Sequence, residues 1–494
     1  MIIAVKMMER FGKYAFLGAA LCMAGFAASC TVNPATGQNQ FTGLLPASQE
    51  ASLGASEHEK IKATYGEFMT GPVADYVNRI GQKLAANTER GDVQYRFFVI
   101  DSPIVNAFAL PGGYIYVSRG LIALANNEAE LAGVIAHEIG HVTGRHAASR
   151  VSQGTLVGLG AAILSAATGS QAVGQVANVG SDLYIKSYSR GQEHEADDLG
   201  VRYLSRAGYD PRAMASFLAS LDAQTKLDLK IAGKSEGQGF NYFSTHPVTI
   251  DRVTQATAIA ANYQNASNAL NRDAFMQNVN GLPYGDSAEQ GFVRGAMFYH
   301  PQMGFAFSIP AGFNVQNNPS ELIGAHQSGA VFVLDAGRDD QGRDPLAYLT
   351  QNWMKDKPPA NAESITINGL RAATAAFAGT ANGQSVTIRV VAIEWKKGQF
   401  FRFQMAIPQN ATTAIVEGLK ATTYSFRAMT AAERSSVKPL RIRTFTASAG
   451  ESVASASAKM ALSNYREERF RVLNAIPSGV NSLGAGQVYK LVTE

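Results

Sequence analysis

His137-Glu138-Ile139-Gly140-His141 is the stretch that most restricts what this chain can fold into. Histidines four residues apart lie one above the other on a helix, so both imidazoles address one point. With a glutamate beside them they form half of a metal site, and the fold must bring a further ligand from elsewhere. The flanks predict the helix. Asn127 to Glu130 reads as a capping box, and Leu131, Val134, Ile135, Ile139 and Val142 follow at helical spacing. Histidines kept in a core for packing alone are the competing reading.

A catalytic ion keeps one position open and needs a third protein ligand. His146 is the nearest candidate, because Gly144 stands where the extended metzincin motif has its glycine. That motif's third histidine falls at 147, which is Ala147, and one residue turns a side chain by about 100° around a helix. The metzincin pattern therefore fails. A better source is Ser189-Arg190-Gly191-Gln192-Glu193-His194-Glu195-Ala196-Asp197. Glu193 and Asp197 share one helical face, giving a ligating carboxylate and a second one to hold a histidine's other ring nitrogen. Glu195 and His194 point elsewhere and read as solvated charges. The residues alone rank Glu193 ahead of Glu195 without eliminating it. Glu138 is placed to take a proton from a water activated by the ion.

A chain of 494 residues exceeds one core, and two to four domains are expected. The formal charge is +4, and Lys6, Arg10 and Lys13 against Glu9 put half of it in the first 29 residues. Nothing marks nucleic acid as a partner. Cys22 lies in the apolar run 14–28, which has the length of a signal-peptide core and is too short to span a bilayer. Ala27-Ala28-Ser29-Cys30 resembles a bacterial lipobox, which implies cleavage before Cys30 and its acylation. Thr31 in the next position, by analogy with enteric bacteria, favours the outer membrane. The mature chain then has no cysteine pair for a disulfide and folds on packing alone.

Residues 1–29 are thus read as a lipoprotein signal peptide and 30–46 as a polar tether. Residues 47–262 are mainly helical with a small sheet, in which Pro111-Gly112-Gly113 turns one short strand into the next. The Gly/Ala-rich run 154–168 is too short to cross a bilayer and reads as a buried helical excursion. Residues 263–289 read as a linker. Residues 290–430 form an antiparallel α+β domain of unknown role, with turns at Asn382-Gly383 and Lys396-Lys397-Gly398 and helices at about 344–354 and 411–421 covering one face. Residues 438–494 make a small βααβ unit. Its Phe470, Leu473, Asn474 and Gly484-Ala485-Gly486-Gln487 resemble the landmarks of a LysM-like peptidoglycan-binding module. The fold class is α+β throughout.

His137–His141 with Arg145-His146, followed by Glu193-x-Glu195-Ala196-Asp197, resembles the CaaX-prenyl-protease/HtpX-like family of zinc metallopeptidases. Asn106-Ala107-Phe108-Ala109-Leu110-Pro111-Gly112-Gly113 upstream, and Ser244-Thr245-His246-Pro247 with Arg252 downstream, match that family too. The chain is most similar to its soluble periplasmic, BepA-like lipoprotein branch, without C-terminal helical repeats. The resemblance implies a zincin-like domain with one zinc held by His137, His141 and Glu193, and Glu138 as general base. It implies Asp197 behind the ligands, and an edge strand through Asn106, Ala107, Phe108 and Ala109 that pairs with an extended protein or peptide substrate. His246 either donates to the oxyanion or fills the open metal position, and the branch favours the capping role. Arg252 is an oxyanion or outer-sphere partner, or a plain helix charge. The function implied is quality control of misfolded envelope proteins on the periplasmic side. The rival is an envelope-tethered chaperone or assembly factor with little proteolysis.

The anchor is directly testable. Labelling with a radioactive fatty acid should mark the wild-type chain, and Cys30→Ala should abolish the label; label surviving in that variant excludes the lipoprotein reading.

Overall fold

The computed structural model describes residues 30–152, 187–232, 246, 250–264, 266–318, 320–381, 383–462 and 464–494. The leader 1–29, the apolar stretch 154–168 and Asn382 of the expected turn lie outside the described residues. Cys30–Val32 (β1) pairs antiparallel with Asn39–Phe41 (β2), and the segment expected to be a tether is docked rather than free. Asn33, Thr42 and Leu45 are buried. The Asn33 amide donates to the Thr143 carbonyl at 2.9 Å, and Arg202 donates to the Ala35 carbonyl at 2.8 Å. A polar composition hid these long-range partners.

Helices Ala47–Tyr65 (α1) and Pro72–Ala85 (α2) flank a small sheet. In α2 Pro72 sits at the first turn, and Val73, Tyr76, Val77, Ile80 and Leu84 bury one stripe. The sheet contains Arg96–Ile100 (β3), Ala107–Leu110 (β4) and Tyr114–Ser118 (β5), in the order β3-β5-β4. β4 runs antiparallel to β5, and β3 runs parallel to it. The β4–β5 turn requires Gly112 and Gly113, whose φ values are 76° and 90°. Every residue of β5 is buried because both faces of the sheet are covered. On one face His58 of α1 lies among Phe68, Phe98, Tyr114 and Tyr116. Ser118 then caps Arg119–Leu124 (α3), and Asn127 caps Glu128–Thr143 (α4). Further helices of this part are Arg190–Arg206 (α5), Ala213–Ala232 (α6), Ile250–Ala261 (α7) and Arg272–Val279 (α8). The expected linker 263–289 therefore carries a helix, with Phe275, Met276 and Val279 in the core, and a short strand, Pro283–Tyr284 (β6).

Between β6 and residue 438 lies the second unit. Phe292–Arg294 (β7), Met297–His300 (β8) and Phe305–Ser308 (β9) form a four-stranded sheet with Arg427–Ala428, which is β17 in chain order. Asn314–Asn317 (β10), Glu321–Ala325 (β11), Val331–Arg338 (β12), Glu363–Ile367 (β13), Leu370–Ala381 (β14), Gln384–Lys396 (β15) and Gln399–Pro408 (β16) form a seven-stranded antiparallel sheet. Its order is β10-β11-β12-β16-β15-β14-β13. Pro345–Tyr348 (α9) and Thr413–Tyr424 (α10) do not share a face, which corrects the sequence expectation. Val391, Ile393, Phe401 and Phe403 pack with Leu419 of α10, whereas Val390, Ala392 and Phe400 pack with Tyr348 of α9. The strands have two apolar faces, so each needs a cover.

After the short helix Ala431–Ser436 (α11), the chain returns in Leu440–Thr446 (β18), which pairs with both β6 and the final strand Val488–Thr493 (β19). Val453–Ala458 (α12) and Arg466–Leu473 (α13) lie between, giving strand–helix–helix–strand. Phe470 and Leu473 join the core that holds Leu131 and Ile135 of α4. The last unit thus belongs with the first, and the middle unit is an insertion between β6 and β18. Asn474 fixes the hairpin by accepting from the Lys490 N–H and donating to the Lys490 carbonyl. The fully buried Lys490 ammonium donates to the carbonyls of Ala123, Leu124 and Ala125 at 2.8, 3.3 and 2.5 Å. It closes the C-terminal end of α3 across more than 360 residues of chain.

Lys490→Met keeps the apolar stem and removes all three donors. It should cost about 3 kcal/mol in urea unfolding, because three buried carbonyls lose their partner; an unchanged unfolding midpoint would show that the lock contributes nothing.

Candidate metal centre

The site is made where α4 crosses α5. Gly140 and Gly200 allow that crossing, since a Cβ on Gly140 would stand 2.9 Å from the Ala196 carbonyl oxygen and one on Gly200 would stand 3.2 Å from His137 N. α5 starts at a capping box, Ser189 with Gln192, which puts Glu193 in its first turn. The close approach turns Glu193 toward the two histidines. His137, Glu138, His141, Glu193, Asp197, His246 and Arg252 are all buried.

Four donor atoms converge. Nε2 of His137 and Nε2 of His141 are 3.0 Å apart, and Nδ1 of His246 lies 3.4 Å from the first. Glu193 places Oε1 at 2.9 Å from His246 Nδ1 and 3.6 Å from His141 Nε2, with Oε2 at 3.5 Å from His137 Nε2. A tetrahedral ion held by nitrogen and oxygen donors at about 2.0–2.1 Å has ligand–ligand edges of ~3.3 Å, the middle of this range. His137, His141 and Glu193 could hold a metal, with His246 in the fourth place.

The ring positions are set from behind. His137 Nδ1 lies 2.8 Å from Asp197 Oδ1; donating there leaves Nε2 as a bare lone pair facing the cluster. Burial pulls the pKa of His137 down, but the hydrogen bond and charge of Asp197, with the Glu193 hydrogen bond, together outweigh it and lift the ring to about 9. A metal must displace that proton, so binding weakens as pH falls. Burial, with the His137 charge, holds His141 well below the usual value, which keeps its lone pair free. Arg252 grips Asp197 with two bonds of 2.8 Å and reaches Glu193 at 2.9 Å, so it is an internal charge partner rather than a helix-face charge. Burial opposes ionisation of Glu193, yet His246, His137 and His141 together hold its pKa far below the carboxylate range.

His146 and Glu195 behave differently from the sequence expectation. Arg145 takes a left-handed backbone, φ 52°, just past α4 and folds the chain back. His146 Nδ1 thereby meets His141 Nδ1 at 2.7 Å, and His146 Nε2 meets Glu195 at 3.2 Å. Glu195 is thus a partner of His146 and not a solvated charge. The unusual turn is held by Arg145 itself, which donates to Glu50, Thr42 Oγ1 and the Leu45 carbonyl at 2.8, 2.9 and 2.8 Å. Tyr188 stacks on His141 at 3.9 Å and was not singled out from the sequence; a lone tyrosine before a helix cap carries no signal of its own.

Glu138 has one carboxylate oxygen without a protein partner, and burial raises its pKa, the direction a proton-shuttling carboxylate requires. His246 Nε2 stands 3.7 Å from its other oxygen. Beside Glu138 an apolar pocket of about 40 Å³ is lined by Val134, Met214, Phe217, Leu218 and Leu221, with Asn106 and Ala107 on its rim. β4, which carries Ala107, Phe108 and Ala109, is the outer strand of its sheet, with Asn106 immediately before it. Ser244, Thr245 and Pro247 lie outside the described residues.

Peptidase family M48 matches residues 73–260. The β-barrel assembly-enhancing protease of Yersinia pestis is 30% identical over 343 residues, 65% of this chain and 69% of that protein. The protein of the same name from Escherichia coli K12 is 35% identical over 164 residues, 31% of this chain and 34% of that protein. The E. coli metalloprotease LoiP is 32% identical over 190 residues, 36% of this chain and 68% of that protein. The chain therefore spans only about a third of the E. coli assembly-enhancing protease.

Metal content tests the donor set. His137→Ala, His141→Ala or Glu193→Ala should each strip the ion on purification. Asp197→Asn should weaken it about 10- to 100-fold by freeing the His137 ring. Glu195→Ala should leave the ion in place, since Glu195 reaches it only through His146 and His141.

Proposed function

The chain belongs to peptidase family M48, and from that premise we propose that it is a zinc endopeptidase that cleaves misfolded or misassembled proteins on the periplasmic side of the bacterial envelope. One observation carries the reading: Glu138, buried and with an oxygen unpartnered, sits between the donor cluster and an apolar pocket next to an edge strand. Nitrogen and carboxylate donors in this arrangement suit zinc, which when bound acidifies water and polarises a carbonyl. The chain's own groups do the rest. The free side of β4 orders an extended substrate through backbone hydrogen bonds, and the apolar pocket takes the side chain next to the scissile bond. Glu138 accepts the proton of the attacking water and returns it to the departing amine. Asp197 and Arg252 hold His137 and Glu193 in register while this happens.

We read His246 as the group that sets the resting state. Its Nδ1 lies among the donors, in the place an attacking water needs, so His246 caps the site until a client or partner draws it away. This cap favours a second reading, an envelope-tethered chaperone or assembly factor with little proteolysis. Names of relatives support the envelope setting, as does the lipobox-like Cys30; the outer membrane is the proposed anchor site. The strand–helix–helix–strand order of residues 438–494 supports a LysM-like unit that holds peptidoglycan. Among the described residues, no helix is long and apolar enough to cross a membrane.

With zinc loaded, Glu138→Gln should retain the metal and lose casein digestion by at least about a thousand-fold. His246→Ala should retain the metal and digest casein faster than wild type. Slower digestion with metal retained would place His246 in the transition state and exclude the cap.

A further inference from the structure

A cavity of about 190 Å³ lies at the seam between the peptidase unit and the C-terminal unit. Three of its walls are continuations of the apolar pocket beside Glu138. The segment before β4 gives Asn106 and Ala107 to the pocket and Ile104 and Val105 to the cavity. Helix α6 gives Leu218 and Leu221 to the pocket, then Gln224 and Leu227, one and two turns further on, to the cavity. Helix α3 gives Leu121 to the first and Gly120 and Leu124 to the second. Pocket and cavity thus lie along neighbouring stretches of the same three segments, which sets them in line as one path.

The direction of that path follows from β4. A substrate strand added antiparallel to β4 runs its carboxyl-terminal side toward the amino-terminal end of β4, past Asn106 and on to Val105 and Ile104. The cavity therefore receives residues that follow the scissile bond. Its far wall is supplied by α13, where the Nε of Arg469 is buried and without a hydrogen-bond partner. The other charges facing the space are accounted for. Arg119 is committed to Asp101 and to the carbonyls of Pro283 and Gly285. Asp228 accepts from Gln224, and burial raises its carboxyl to about 6. Glu468, beside Arg469 in sequence, pairs with Lys230. Arg469 bonds Tyr284 and lies in the field of Asp228, so the Nε–H is what its guanidinium has to spare, and an incoming carboxylate meets it best as the pH falls toward about 6 and Asp228 takes up a proton.

We propose that this cavity is the distal end of the substrate cleft, and that Arg469 of the C-terminal unit binds a carboxylate carried on the substrate beyond the scissile bond. That carboxylate is either the free end of a polypeptide or an acidic side chain. The inference rests on the peptidase reading and adds to it a role for the C-terminal unit, which Lys490 locks onto α3 beside this cavity.

The test uses the full mature chain carrying Glu138→Gln, so that binding is read without turnover. Three fluorescent peptides share one sequence and end in a free carboxylate, in an amide, or in an amide preceded by glutamate. The free-acid peptide should bind about ten-fold more tightly than the plain amide, and Arg469→Gln should erase the difference while leaving amide binding unchanged. Arg469→Lys should keep part of it. Glutamate rescue of the amide would assign the site to acidic side chains, and failure of that rescue would assign it to chain ends. Leu227→Phe, which narrows the cavity and keeps the Arg469 side chain, should weaken the acid peptide and provides a second route if Arg469→Gln misfolds. Equal binding of acid and amide, or a preference that survives Arg469→Gln, overturns the proposal. If the parent chain cleaves nothing while acid and amide still separate, the cavity stands and the peptidase reading falls. If it cleaves both peptides with equal kcat/KM, the cavity reading falls alone.

Discussion

The structure depends on how closely two helices approach. α4 and α5 meet at Gly140 and Gly200, where the first side-chain carbon would collide with the backbone at Ala196 or press on His137. Packing at that distance forfeits side-chain burial, and the return is geometric. Glu193 can reach a pair of histidines that lie on another helix and more than fifty residues away. A separation larger by one methyl group would leave two histidines and a carboxylate near each other without a common point. Interiors pack too densely to absorb such a shift elsewhere.

Close approach also concentrates charge, and the fold balances it in two directions. Behind His137 stand Asp197 and Arg252, the arginine being shared with Glu193. Behind His141 stand His146 and Glu195. Each ligand ring is therefore oriented by a partner that is itself held, the condition for a site whose geometry survives the arrival and departure of substrate. The second chain runs outward through Arg145 to Glu50, Thr42 and the Leu45 carbonyl. The N-terminal segment is in this way part of the scaffold of the site. A lipid on Cys30 would hold the catalytic body by a docked hairpin rather than by a loose leash.

The same economy governs the units. β6 and β18 are neighbours in one sheet although about 150 residues separate them, so the middle unit is a loop of the fold grown into a domain with its own two cores. The C-terminal unit shares a core with the peptidase unit, and the buried Lys490 ammonium joins them through a helix end. Its helix α13 thereby becomes a wall of the space that leads from the cleft.

The sequence by itself determined whatever depends on local spacing. His137, Glu138 and His141 on one face, the cap at Asn127, the Pro111-Gly112-Gly113 turn and the long hairpin strands of the middle unit all follow from intervals of two to four residues, which fix side-chain direction. Family resemblance added His246 and Arg252, which no interval could connect to the cluster. Tertiary structure alone decided the rest. Glu195 read as a surface charge because its partner, His146, arrives through a left-handed turn at Arg145, and non-glycine residues give no local sign of that conformation. Residues 30–46 read as a tether because polar side chains look the same whether they meet water or a carbonyl a hundred residues away. Helices α9 and α10 were expected on one face of the middle sheet, and strands apolar on both faces could not say which helix takes which side. The C-terminal unit read as a separate module because shared cores and a lysine buried on three carbonyls are properties of contact, and contact between distant segments has no period for a sequence to display.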